Sequence, residues 1–234
     1  MTLRCYIFSM KKNELIVYHG SISIIREPKY GVGKPYNDYG LGFYCTQSLE
    51  LAKEWAVGNN QDGYSNKYLL DISDLKILDL SKTGNVLHWI TILLNNRTFG
   101  VKNDIAKAGK EFLIEHFLLP VDQYDIIRGY RADDSYFAYA EGFLNNTISL
   151  RVLKEALRLG NLGEQIVLKS PLAFSRITFL ESEEAKANQY YPLREKRNNK
   201  AREDFIKSKQ AGFREDDIFL SDILKGVDIN DLRL

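Results

Sequence analysis

The chain has 234 residues, 44% of them apolar, with 32 Lys and Arg against 31 Asp and Glu for a formal net charge of +1. A chain of that length can bury a full core without metal or disulfide support. Its balanced charge supplies no global field for nucleic acid or a membrane surface, so a polyanion would have to meet a local patch. Two cysteines, Cys5 and Cys45, and the lack of any Cys/His spacing set argue against a disulfide framework and structural zinc, so a reducing cytoplasm is the expected compartment and no metal is expected.

In chain order, Met1 to Lys12 hold an apolar stretch too short for a signal core, and Lys11 and Lys12 follow it rather than precede it. No run approaches the roughly 20 apolar residues of a membrane span. Residues 14–18 and 42–46 are predicted strands, and Leu49 to Val57 a short helix entered from Thr46, Gln47 or Ser48. Tyr68–Ile72 and Ile77–Leu80 suit strands. Val86–Leu94 and Ile105–Leu119 have helical length and apolar density, which predicts a two-helix insertion closed by Pro120. Further helices are expected over Asp133–Leu144 and over Leu150–Leu159, the latter entered from Ser149 and stopped by Gly160. Gly163–Lys169 and Ile177–Leu180 return to strand. Beyond Glu181 the composition turns polar. This divides the chain into a domain over 1–181 and a mostly helical extension over 182–234, an α+β architecture without internal repeats.

Two segments carry the chemistry. Tyr18-His19-Gly20-Ser21 ends the apolar run Leu15-Ile16-Val17-Tyr18, where a strand end presents an imidazole and bare backbone amides. Asp38-Tyr39-Gly40-Leu41-Gly42-Phe43-Tyr44-Cys45-Thr46 follows, with glycines that permit close approach of backbone to a ligand and neighbouring rings on opposite strand faces. Taken alone, His19 is a histidine satisfied by local hydrogen bonds and Tyr44 a core aromatic. The two motifs in order shift the balance toward a site.

Together with Ala52-Lys53-Glu54-Trp55-Ala56, these segments resemble the NAD-binding half of the ADP-ribosyltransferase superfamily in its His-Tyr-Glu branch, which includes diphtheria toxin and the poly-ADP-ribose polymerases. More narrowly, the chain is similar to a bacterial family of that fold catalogued as a domain of unknown function, over residues 15 to about 181. The resemblance implies a split β-sheet core and NAD as substrate. His19 would bind the adenosine ribose, the Gly20 backbone the nicotinamide amide, and Tyr44 would lie under the nicotinamide ring. Trp55, 11 residues after Tyr44, matches the position of a second ring, and equally suits a helix core. A cationic ring between two aromatic faces gains on the order of 1–2 kcal/mol when desolvated. The candidate binding set is therefore His19, Gly20, Ser21, Gly42, Tyr44, Thr46, Trp55 and Arg131.

The resemblance also expects a Glu at the start of a late strand, because an acceptor near the oxocarbenium-like ribose lowers the barrier. Gly163-Glu164-Gln165-Ile166-Val167-Leu168 offers two residues, and strand alternation lets only one face the cleft. The narrower family favours Gln165, a departure from Glu. Gly129-Tyr130-Arg131-Ala132-Asp133-Asp134-Ser135-Tyr136-Phe137 supplies an alternative carboxylate in Asp133 or Asp134, beside Arg131 as a pyrophosphate ligand. The same two aspartates also suit a helix cap and first turn. Cys45, His88 and His116 form no recognisable triad.

Residues 185–202 hold six basic residues against one acid. They read either as a solvated helix face or, with Tyr190 and Tyr191, as a nucleic-acid contact. The expected activity is NAD-dependent transfer of ADP-ribose to a protein or nucleic-acid acceptor, in a bacterial toxin or defence effector with an antitoxin partner and no membrane. The alternatives are an inactive NAD-binding module on the same fold and the NAD-requiring RNA 2′-phosphotransferase, whose His/Arg set is not found here.

Overall fold

The computed structural model describes residues 13–83, 85–100, 103–131, 134–159, 163–210 and 212–226. Its strands are β1 (Glu14–Ser21), β2 (Phe43–Cys45), β3 (Gly63–Asp71), β4 (Ile77–Asp79), β5 (Ile126–Tyr130), β6 (Glu164–Leu168) and β7 (Ile177–Ala185). The helices are α1 (Leu49–Ala56), α2 (Val86–Asn96), α3 (Asp104–Phe117), α4 (Asp134–Leu144), α5 (Leu150–Leu159), α6 (Pro171–Ser175), α7 (Ala187–Gln210) and α8 (Leu220–Leu224). Sheet order is β1-β3-β7 in one sheet and β2-β6-β5-β4 in the other. All pairings are antiparallel except β4 with β5. The fold class is α+β.

The two sheets meet where Tyr18 and Thr46 exchange backbone hydrogen bonds of 2.7 and 2.9 Å. Between them lies a core of Val17, Phe43, Tyr68, Leu70, Ile166 and Leu168. Strand β6 alternates, so Val167 faces the opposite way and joins Trp89, Leu87, Phe143 and Leu153 in the larger core under the helices. Helix α2 is buried on almost every side, which is why its sequence is apolar without a polar stripe.

Local chemistry sets the element ends. The Ser48 hydroxyl accepts from Leu51 N, Asn85 from Leu87 N and Asn103 from Ala106 N, capping α1, α2 and α3. The two helices of the insertion lie where expected, but α3 ends at Phe117, before Pro120, with Leu118 already extended. Strand β5 is an addition to the sequence reading: Arg128 and Gly129 interrupt its apolar run. Strand β3 also starts earlier than expected, because its first half buries Ser65 and Asn66 rather than hydrocarbon. Gly160 and Asp133 lie outside the described residues.

The polar chain end is built onto the core. Strand β7 runs through 181 to Ala185. Tyr190 of α7 is buried against Ala56, Val57, Ala185 and Ala187, so that ring is packing material rather than a free stacking surface. Leu220 of α8 presses on α3 at Gly109, where a Cβ would clash with the leucine side chain. No helix among the described residues is long and apolar enough to cross a membrane.

Candidate functional site

A cleft of about 740 Å³ opens beside the join of the two sheets, lined by His19, Gly42, Tyr44, Trp55, Arg131 and Gln165 among others. His19 Nδ1 lies 2.7 Å from the Tyr44 carbonyl oxygen. A carbonyl only accepts, so Nδ1 carries the hydrogen and Nε2 holds the lone pair. Nε2 has no partner among the described residues. The ring stacks on Phe43 at 4.3 Å. Burial pushes its pKa below the ordinary imidazole range, opposed by the weaker effect of the Tyr44 hydrogen bond. The site therefore offers a neutral acceptor at pH 7.

Tyr44 is held at its far end: its hydroxyl donates to Gly40 O at 2.6 Å and accepts from Tyr39 N at 3.0 Å. Burial raises the phenol pKa, so the side chain offers a ring face and no labile proton. The turn beneath it is clamped by Lys169, whose ammonium donates to Tyr39 O and Leu41 O at 2.6 Å each. At Gly42 a Cβ would sit 2.6 Å from Val167 Cγ1 and 2.8 Å from Leu168 O. Glycine there lets β2 close on β6.

Gln165 is 6% exposed, and its Oε1 has no hydrogen-bond partner among the described residues. An orphaned buried amide oxygen costs about 1–3 kcal/mol until something donates to it. Glu164 faces the other side of β6, where it pairs with Arg128 through two guanidinium nitrogens. With Thr46 it lines a separate cavity of about 280 Å³. The Thr46 hydroxyl is engaged by Ser48 N at 3.2 Å.

Trp55 presents its indole to the cleft, with Nε1 buried and without a partner among the described residues. The Arg131 guanidinium carbon lies 4.7 Å from the indole centroid, a cation–π arrangement. Asp133 lies outside the described residues; Asp134 begins α4, and its side chain is likewise outside them.

Gly20 and Ser21 are not among the described residues that line the cleft. The side of Gly20 where a Cβ would stand is filled by α1, with Ala56 N at 2.8 Å and the Ala52 carbonyl closer still, so glycine here serves helix packing. Ser21 belongs to a network around the fully buried Asn66. Its Oγ receives Asn66 Nδ2 at 3.0 Å, while Asn66 Oδ1 accepts from Ile25 N at 3.0 Å. That asparagine holds the loop that forms the cleft's outer wall.

Several contributors lie outside the candidate binding set. Asp38, 5% exposed, accepts from Arg97 Nη1 at 2.6 Å, and both line the cleft. Helix α7 supplies Arg194 and Asn198. It is fastened to α1 by Arg197, whose Nε and Nη2 donate to the two oxygens of buried Glu54 at 2.9 and 2.8 Å. His88 and His116 instead bond the backbone oxygens of Phe117 and Phe112. Among the described residues no group of three or more His, Cys, Asp or Glu is placed to hold a metal.

Neutral imidazole, two aromatic rings, an unsatisfied amide and several arginines at the seam of two sheets define an α+β protein with a cation-rich, aromatic-walled cleft of small-molecule size. The chain belongs to the family described as Protein of unknown function (DUF3990), whose model matches residues 15–179. No curated protein and no solved structure matches it.

Proposed function

We propose that this protein is an NAD-dependent ADP-ribosyltransferase acting in the cytoplasm on a macromolecular acceptor, protein or nucleic acid. The observation that carries the reading is the cleft pairing of His19 Nε2, a lone-pair acceptor with no partner among the described residues, with the Tyr44 ring and the orphaned Gln165 Oε1. Each suits one part of NAD. His19 accepts from a ribose hydroxyl, Tyr44 and Trp55 present faces to the nicotinamide, and Gln165 accepts from the hydroxyl of the reacting ribose. In the step itself the bond from ribose C1′ to the nicotinamide nitrogen breaks, and its electron pair leaves with nicotinamide. An acceptor nucleophile then bonds C1′ and loses a proton. Tyr44 holds the departing ring, and the dipole of Gln165 faces the developing positive charge. The toxin reading with an antitoxin partner follows from the sequence resemblance alone.

A second reading has its own observation. Gln165 is neutral where a carboxylate is expected, and Glu164 is committed to Arg128. Both favour a nucleotide-binding module without turnover. Incubating the purified chain with NAD labelled in its adenylate part and bacterial lysate separates the two readings. Label in protein or RNA supports transfer, whereas calorimetric NAD binding without transfer or hydrolysis supports the module. No binding heat and an unchanged Tm at saturating NAD would overturn both.

A further inference from the structure

We infer that Arg194 of α7 is a phosphate-binding residue of the cleft, so that this helix, beyond the matched family segment, sets a preference for phosphorylated ligands; this rests on the nucleotide reading above. Arg194 is half-buried and lines the cleft. Its Nη1 donates to Val57 O at 3.1 Å, and it has no carboxylate partner among the described residues. A guanidinium carries five N–H donors in a fork matched to phosphate oxygens. Partial burial of that charge without a counter-ion is unfavourable, and an anion in the cleft relieves it.

The neighbouring charges strengthen the case. Arg97 is bonded to Asp38 and Arg131 rests on Trp55. Lys29 and Lys34 stand on the outer loop, and among the described residues the lining holds two carboxylates, Asp38 and Glu27, against five cations. Arg194 is also rigidly presented. Arg197, on the same helix face one turn later, forks onto buried Glu54, and Tyr190 is packed one turn earlier. A cation held that firmly in the cleft wall is pre-organised for a ligand. The family match ends at 179, so this wall belongs to the part of the chain that the family segment leaves out.

The test titrates NAD, ADP-ribose, nicotinamide riboside and inorganic pyrophosphate into the full chain, as wild type, Arg194→Gln and Arg194→Lys, with melting curves to confirm folding. Arg194→Gln should weaken NAD and ADP-ribose roughly tenfold or more while leaving the phosphate-free riboside within about twofold, and Arg194→Lys should recover part of the loss. Unchanged NAD affinity in Arg194→Gln, or equal weakening of the riboside, overturns the inference and leaves the NAD reading standing. If the wild type ignores NAD yet binds pyrophosphate in an Arg194-dependent way, the anion site stands and the NAD reading falls. If it binds neither, both fall.

Discussion

His19 and Tyr44, 25 residues apart, are joined by a 2.7 Å hydrogen bond from the imidazole to the tyrosine carbonyl. That single contact fixes the tautomer of His19 and ties the end of β1 to the backbone of β2, while the imidazole stacks on Phe43. The two motifs are therefore one device, and disturbing either end should be felt at the other.

His19→Ala should abolish the thermal protection given by NAD while the protein remains folded, read by melting curves with and without the nucleotide. The pH dependence has a definite sign. Burial lowers the folded-state pKa of His19, so below the ordinary value of about 6.5 the unfolded chain binds a proton that the native chain resists. The stability tied to neutral His19 is fully present above that pH and falls as pH drops through the window toward the lowered value. His19→Ala should flatten this part of the stability curve as pH falls below about 6.5.

The residues of β6 separate enzyme from binding module. Gln165→Glu should increase NAD hydrolysis if this side chain faces the reacting ribose, since a carboxylate stabilises the developing charge better than an amide. Glu164→Gln should leave turnover nearly unchanged, because its partner is Arg128 on the opposite face. If instead Asp133 or Asp134 supplies the carboxylate, its change to Asn should cut turnover by about 10² or more at nearly constant NAD affinity. A dead Glu164→Gln variant with normal binding would reverse the assignment of faces.

The fastening of α7 makes a stability prediction. Arg197→Leu leaves the Glu54 carboxylate, 4% exposed, without its guanidinium, and urea denaturation should show a loss of about 3 kcal/mol. The double variant Glu54→Leu/Arg197→Leu should recover much of that loss, because it removes the buried charge as well. A single variant as stable as wild type would show that the pair does not hold the helix.

Gly20→Ala should damage the fold rather than the ligand contacts. Its Cβ would be driven into the Ala52 carbonyl and to 2.8 Å from Ala56 N, costing about 2–3 kcal/mol unless α1 shifts. Gly31→Ala is the control. It meets nothing within 4 Å, and its φ of +79° carries only the left-handed strain of roughly 1 kcal/mol. Equal Tm losses in the two would remove the packing argument for Gly20.

Much of the scaffold is written locally. The apolar runs of β1, β2 and β6, the cap at Ser48 and the dense apolar stretch of α2 are read from near neighbours, because strand alternation and helix capping act over a few residues. Strand β5 is not legible in this way, since Arg128 and Gly129 break its pattern. Arg128 sits there to meet Glu164 from the next strand, and Gly129 to make room for the Tyr39 hydroxyl and Leu80.

By itself, the sequence determined the α+β class, the pairing of a strand-end histidine with a Gly-Leu-Gly-Phe-Tyr strand, and the choice of Gln165 or Glu164 as alternatives on opposite faces. Tertiary structure decided which residues share the cleft. Asp38 with Arg97, Glu54 with Arg197, and Arg194 with the Val57 carbonyl come from positions 59, 143 and 137 residues apart. Charge pairing over such separations leaves no periodic trace, because electrostatic partners are selected by the packing of whole elements and not by the spacing of side chains along one of them.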